Sequence, residues 1–194
     1  MCLTCLLALV VTAPSGCSRS AAPGAPTDVT APDGGAPGML TVTSTAFADG
    51  GTIPAKFCAI GVEGASNISP QIAWSTPPEG TRSIVIAIVD HHPVARMWVH
   101  WVVIGIPPSV TEIAEGASGS LATPAIELKN TAGRTGYGGP KPPVGSGDHD
   151  YVVTVYALDV AELPHSMEPD AAEIARAVSG HTLASGSITG VFGR

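Results

Sequence analysis

His149 and Tyr151 stand two residues apart at the start of an apolar, β-branched run. On a strand, that spacing sends both side chains to one face. His100 interrupts a second apolar run, Trp98-Val-His-Trp-Val-Val-Ile-Gly-Ile106, where a two-residue period groups it with Trp98 and Val102. Asp90 ends a third such run, just before a Pro-containing connection. A carboxylate, two imidazoles and a phenol delivered at strand ends can converge on one mouth. Imidazole N–H and phenol O–H groups donate to an oxyanion, and a carboxylate orients or charges a neighbouring imidazole. Three or four charge-assisted bonds of about 1.5–3 kcal/mol each give useful but modest affinity for a small anion once ordering costs are subtracted.

His91 and His92 follow Asp90 directly, and with His100 and His149 they offer enough nitrogen ligands for zinc or copper. A metal-binding variant of the pocket is therefore one reading. Adjacent side chains on an extended chain point in opposite directions, so at most one of the pair, taken as His92, joins the site. The leading reading calls for no metal and no cofactor. The chain also lacks a Gly-x-Ser-x-Gly elbow, a Walker loop, a His-Glu-x-x-His pair and a Rossmann glycine pattern, and it reads as non-enzymatic. The glycine-rich stretch Gly136 to Gly145 is interrupted by Pro140, Pro142 and Pro143, which makes it a stiff pocket loop. Cys58 has no sequence-local His or cation to activate it and reads as a small, semi-buried residue. His165 and His181 lie outside these segments and receive no role.

The elements that must position these groups are short strands. Met39 to Phe47 alternates apolar residues with Thr and Ser and suits a half-exposed first strand. Thr81 to Asp90 is nearly all apolar and reads as a central buried strand, followed by Trp98 to Ile106, Asp150 to Asp159 and a short final strand Ile188 to Phe192. One helix is expected over about Pro169 to Ser179, with Pro169 at a tolerated early position, Gly180 past its end and Ala171, Ile174, Ala175 and Val178 at helical spacing. The 23 Gly and 18 Pro mark many turns. The predicted class is all-β: a Greek-key-like sandwich of two antiparallel sheets, with one or two short C-terminal helices covering one side.

The length of 194 residues and 44% hydrophobic content suit one core. A formal net charge of −7, with Lys and Arg scattered singly, argues against a broad nucleic-acid surface. It does not conflict with a small anionic ligand, because His side chains and backbone N–H groups make a site locally electropositive.

Leu3 to Val11 is an apolar run too short to span a bilayer but of signal-peptide length. Ala13-Pro14-Ser15-Gly16-Cys17 then resembles a lipoprotein cleavage site, so residues 1–16 read as a signal and Cys17 as the lipidated first residue of an envelope protein. A plain secretory signal leading to a periplasmic or secreted protein is the alternative. Residues 17–38 read as a flexible tether, and residues 39–194 as the folded domain.

At these residues the sequence resembles the phosphatidylethanolamine-binding protein family, in its bacterial Raf-kinase-inhibitor-like branch. The resemblance is carried in order by Asn67-Ile-Ser-Pro-Gln-Ile-Ala-Trp74, Asp90, Val99-His100-Trp101-Val-Val, Gly136-Tyr-Gly-Gly-Pro-Lys-Pro-Pro-Val-Gly145, His149-Asp-Tyr151 and Val155-Tyr-Ala-Leu-Asp159. It implies a β-sandwich whose pocket takes phosphate-like anions or phospholipid head groups, with Asp90, His100, Gly139, Pro140, His149 and Tyr151 lining it and backbone N–H groups beside Gly139 completing the cradle. It also implies an alternative role in binding or inhibiting a partner protein such as a kinase or protease. Where the family pattern is Asp-Pro-Asp-Ala-Pro, this chain has Asp90-His91-His92-Pro93-Val94, which makes the rim less acidic.

Overall fold

The computed structural model describes residues 37–194. The signal segment, Cys17 and the tether as far as residue 36 lie outside the described residues. In chain order the strands are β1 (Gly38–Met39), β2 (Val42–Thr43), β3 (Gly51–Thr52), β4 (Ile72–Trp74), β5 (Ser83–Asp90), β6 (Trp98–Ile106), β7 (Glu112–Ile113), β8 (Ile126–Glu127), β9 (His149–Leu158) and β10 (Thr182–Phe192), with helix α1 (Ala171–Val178) between the last two.

The larger sheet runs β1-β10-β9-β5-β6-β8, with β3 also on β10, and the smaller runs β2-β4-β7. Between them lies an apolar cluster that includes Val42, Ile72, Trp74, Ile84, Ile86, Trp101 and Val155. The opposite face of the larger sheet packs Val85, Val99 and Leu158 against Ile174 and Val178 of α1. Every residue of β5 is buried, since it is central in its sheet and covered on both faces. That is why its sequence is a continuous apolar run rather than an alternating one.

The sandwich with a helix on one side is as expected, and the long strands pair antiparallel. Two short strands differ, because β1 and β3 run parallel to β10. Met39 to Phe47 is not one strand. The chain changes sheets between Leu40, whose N–H donates to Ser185, and Thr41, whose carbonyl accepts from Ser75. The last strand begins at Thr182, six residues before the expected Ile188, in a Gly/Ser/Thr-rich stretch held between β9 and the chain crossing at Leu40. Gly186 permits that crossing, for a Cβ there would lie 2.0 Å from the Leu40 carbonyl oxygen. Helix α1 starts after Asp170, whose carboxylate caps the N–H groups of Ala172 and Glu173. Pro169 therefore stands outside the helix.

Strand β6 departs from the regular period where it matters most. Ile88 pairs with Trp101 but Val89 pairs with Val99, so residue 100 is an extra residue opposite β5. A second irregularity lies between the Ile84 and Ile86 pairings, next to Gly105, whose φ of 68° suits glycine.

Candidate functional site

Adjacent ends of three strands build the floor of a cleft of about 760 Å³. Asp90, the last residue of β5, is paired in register with Tyr151 of β9 on one side and Trp98 of β6 on the other. Asp90, His149 and Tyr151 share the inter-sheet face with Ile84, Ile86 and Val153 because β5 and β9 pair without a break. His100 reaches the same cleft through the bulge. It accompanies Trp98, as expected, but Val102 belongs to the opposite, helix-covered face. The two-residue period fails there because a bulge shifts the phase of every side chain beyond it.

Asp90 is 3% exposed, and both its oxygens are used. Oδ1 accepts from the His92 backbone N–H at 2.8 Å, and Oδ2 stands 2.7 Å from Nδ1 of the equally buried His149. His149 Nε2 lies 2.9 Å from the Ser146 hydroxyl, which also bonds the Pro143 carbonyl. Neither nitrogen of His149 is left to donate to a ligand. Instead the ring is locked in place by Asp90 and Ser146.

His100 Nδ1 lies 2.5 Å from the Gly138 carbonyl oxygen. A carbonyl only accepts, so this nitrogen carries the hydrogen and Nε2 faces away from the bond. Burial, first, holds the His100 pKa below the usual histidine range, although Gly138 and the negative charge of Asp90 oppose that shift. The ring meets Tyr151 edge-on at 5.1 Å. Burial and then the charge of Asp90 push the Tyr151 pKa upward, so the phenol stays a hydroxyl, and that hydroxyl is buried without a hydrogen-bond partner among the described residues.

Three expected pocket residues sit differently from their reading. His92 is not on the cleft wall. Its ring stacks on His149 at 3.8 Å between centroids, and its Nδ1 accepts from the Val94 N–H, capping the short turn Pro93–Ala95. His91 is exposed, so of the adjacent pair one does turn toward the site. Pro140 lies behind the floor, lining a void of about 10 Å³ with Phe47 and Ile53. Gly139 does line the cleft, but its N–H donates to Asn67 Oδ1 at 2.8 Å, and the Gly138 N–H donates to the His100 carbonyl. The expected backbone cradle is thus consumed by the loop itself. Gly139 is required for contact: a Cβ would lie 2.2 Å from the Phe57 carbonyl oxygen.

The metal reading loses its ligand set. Stacked rings hold their nitrogen lone pairs in parallel planes, and the nitrogens of His149 are engaged. Among the described residues no group of three His, Cys, Asp or Glu is placed to hold an ion. Cys58 is fully rather than partly buried, and burial pushes its thiol up to about 11, away from nucleophilic use.

Residues without an assigned role in the sequence reading complete the site. Arg134 and Lys141 line the cleft and form no salt bridge among the described residues; Lys141 Nζ donates to the Ile60 carbonyl at 3.0 Å. Asn67, in a left-handed conformation (φ 53°), ties the Gly139 loop to the wall. Ile60, Val94 and Trp98 add exposed apolar lining. Lys141 and Asn67 fall inside the quoted motif blocks, whereas Arg134 lies just ahead of one and carries no local signal.

Compared with known proteins, residues 43–193 match the family model described as phosphatidylethanolamine-binding protein. The chain is 35% identical over 159 residues to UPF0098 protein YbhB of Escherichia coli, covering 79% of this chain and 99% of that protein. It is 38% identical over 156 residues to "Putative lipoprotein LppC" of Mycobacterium tuberculosis, covering 78% and 73%. The crystal structure of Escherichia coli YbcL, described as a new member of the mammalian PEBP family, superposes with a TM-score of 0.73 at 30% identity, covering 80% of this chain and 98% of that one.

Proposed function

This chain belongs to the phosphatidylethanolamine-binding protein family, and from that premise we propose that it is a non-enzymatic binding protein for a small phosphate-bearing anion or lipid head group. The observation that carries this reading is local charge. In a chain of net charge −7, the cleft holds Arg134 and Lys141 without acidic partners among the described residues, while the carboxylate on its floor, Asp90, accepts one hydrogen bond on each oxygen, from His92 and His149. The Tyr151 hydroxyl lies sealed beneath them, without a hydrogen-bond partner among the described residues. Ile60, Val94 and Trp98 at the mouth suit an anion carried on an apolar body.

Titration of the purified protein with phosphate and phosphoethanolamine, followed by histidine NMR shifts, tests the reading. A saturable response is expected, weakened about tenfold in Arg134→Ala by loss of roughly 1.4 kcal/mol. Absence of any saturable response would sink it. Export and anchoring through Cys17 belong to the same proposal, supported by the apolar leader, the small residues before Cys17 and the lipoprotein name of the mycobacterial relative. Cys17→Ser should move the protein from the membrane to the soluble fraction, and an unchanged membrane share would remove the anchor.

A further inference from the structure

Resting on the anion-pocket reading, we propose that the mouth of the cleft is a docking surface for an anionic phospholipid bilayer, so that its ligand is a head group met in the membrane. Among the described residues six large apolar side chains are exposed: Met39, Ile60, Val94, Met97, Trp98 and Val144. All but Met39 belong to the mouth. Ile60, Val94 and Trp98 line the cleft, Met97 precedes Trp98, and Val144 follows the cleft-lining Pro143. Single exposed apolar residues are ordinary, whereas five gathered around one opening mark a surface that is covered in use. The backbone points the same way. Arg96 and Met97 are consecutive non-glycine residues in the left-handed region, with φ of 50° and 60°, which L-residues occupy at a cost. They carry the chain from the Pro93–Ala95 turn into β6 and leave Val94, Met97 and Trp98 in solvent. Strain of this kind persists where a segment has a use beyond folding. The same turn is where this chain departs from the Asp-Pro-Asp-Ala-Pro pattern, with Val94 in place of the last proline.

Charge and shape select the occupant. Asp90, buried on the floor, is the only acidic side chain that lines the cleft, while Arg134 and Lys141 line it and the exposed Arg96 lies beside Met97. None of these three cations forms a salt bridge among the described residues. In a chain of net charge −7, that asymmetry turns this end of the domain toward an anionic surface. The apolar tips come from three separate segments placed around a hollow of about 760 Å³. A flat protein face resting on the tips would leave that hollow unfilled, whereas a bilayer supplies head groups that enter it and an acyl boundary that receives the tips. An exposed tryptophan beside cations is the composition of a membrane-interface contact.

The test uses the full chain carrying Cys17→Ser, so that lipidation does not supply the attachment, and vesicles of mixed phosphatidylethanolamine and phosphatidylglycerol. Trp98 is the reporter, since of the three tryptophans it is 40% exposed whereas Trp74 and Trp101 are buried. Adding vesicles should shift tryptophan emission to the blue and shield it from an aqueous quencher, with saturation. Vesicles of phosphatidylcholine alone should require at least about fivefold more lipid. In the double variant Met97→Ser/Val144→Ser, at positions outside the cleft lining, the lipid required should also rise at least about fivefold while a phosphate titration stays unchanged. Emission that does not move at any lipid concentration, while phosphate still binds, overturns the docking surface and leaves the anion pocket standing. A shift that the double variant does not weaken also overturns it, because the attachment would then lie elsewhere in the chain, and an equal response to phosphatidylcholine removes the anionic bilayer as the partner. Failure of phosphate and vesicles alike withdraws the pocket reading and this inference together. The comparison of vesicle compositions decides even if the variant does not fold.

Discussion

Replacing Asp90 by Ala removes the group on which the floor of the cleft is assembled. The carboxylate is 3% exposed and accepts two hydrogen bonds, from His149 Nδ1 at 2.7 Å and from the His92 N–H at 2.8 Å. Bonds to a charged acceptor contribute about 1.5–3 kcal/mol each, so two amount to roughly 3–6 kcal/mol. Independently, breaking a buried pair by deleting one partner costs about 3–5 kcal/mol, since the other partner stays behind without compensation. The two routes agree, and Asp90→Ala is expected to lose about 3–5 kcal/mol, a large share of the stability of an ordinary domain. In urea, with a slope of about 2 kcal/mol/M, the unfolding midpoint should fall by about 1.5–2.5 M. A double-mutant cycle isolates the cause. His149→Phe keeps a flat ring under His92 but leaves no Nδ1 to be orphaned, so Asp90→Ala in that background should cost at least about 1 kcal/mol less than in the native chain. A midpoint shift below about 0.5 M, or strictly additive costs, would refute the view that this pair is the structural centre of the site.

Two further outcomes follow from the same geometry. Gly139→Ala places a Cβ 2.2 Å from the Phe57 carbonyl oxygen and 2.7 Å from the Ala59 nitrogen, so the loop must withdraw and release Asn67; calorimetry and melting should show anion affinity down more than about tenfold and stability down about 1–3 kcal/mol. Because His100 binds its second proton below its ordinary value of 6.5 when folded, the unfolded chain takes up a proton first as pH falls. The stability this contributes is complete above 6.5 and declines below it, and urea midpoints across that range should show a shallower decline in His100→Asn. A midpoint that rises on acidification through 6.5 would contradict the neutral ring.

The parts of the site legible in sequence were those governed by strict strand periodicity. His149 and Tyr151 share a face, with Asp90 beside them, because β9 and β5 pair in unbroken register. His100 entered the cleft for a reason that the pattern did not contain. A bulge adds one residue without a composition change at that point, and only the second irregularity of β6 is marked, by Gly105. The sheet switch at Leu40 and Thr41 was equally silent, since alternation reads the same whether both halves of a segment pair with one sheet or with two. Arg134, Lys141 and Ser146 sit on loops whose placement depends on contacts far along the chain, such as Asn67 with Gly139 and Ala59 with Pro140.

This division has a functional consequence. The floor comes from strands buried in the sandwich, so its geometry is stabilised by the same packing that stabilises the fold, and His149 is spent on holding Asp90 rather than on meeting a ligand. The groups left to address a ligand are His100 Nε2 and the loop cations Arg134 and Lys141. His92 belongs with the floor in this respect, because its ring covers His149 while its backbone N–H donates to one oxygen of Asp90. A carboxylate at that position, as in the Asp-Pro-Asp pattern the chain departs from, would bring a second negative charge close to Asp90. An imidazole brings none while neutral, and an oxyanion in the cleft then faces a single carboxylate, each of whose oxygens already accepts a hydrogen bond. The rim substitution and the hydrogen bonds to Asp90 act in the same direction, toward a less acidic cleft inside an acidic protein.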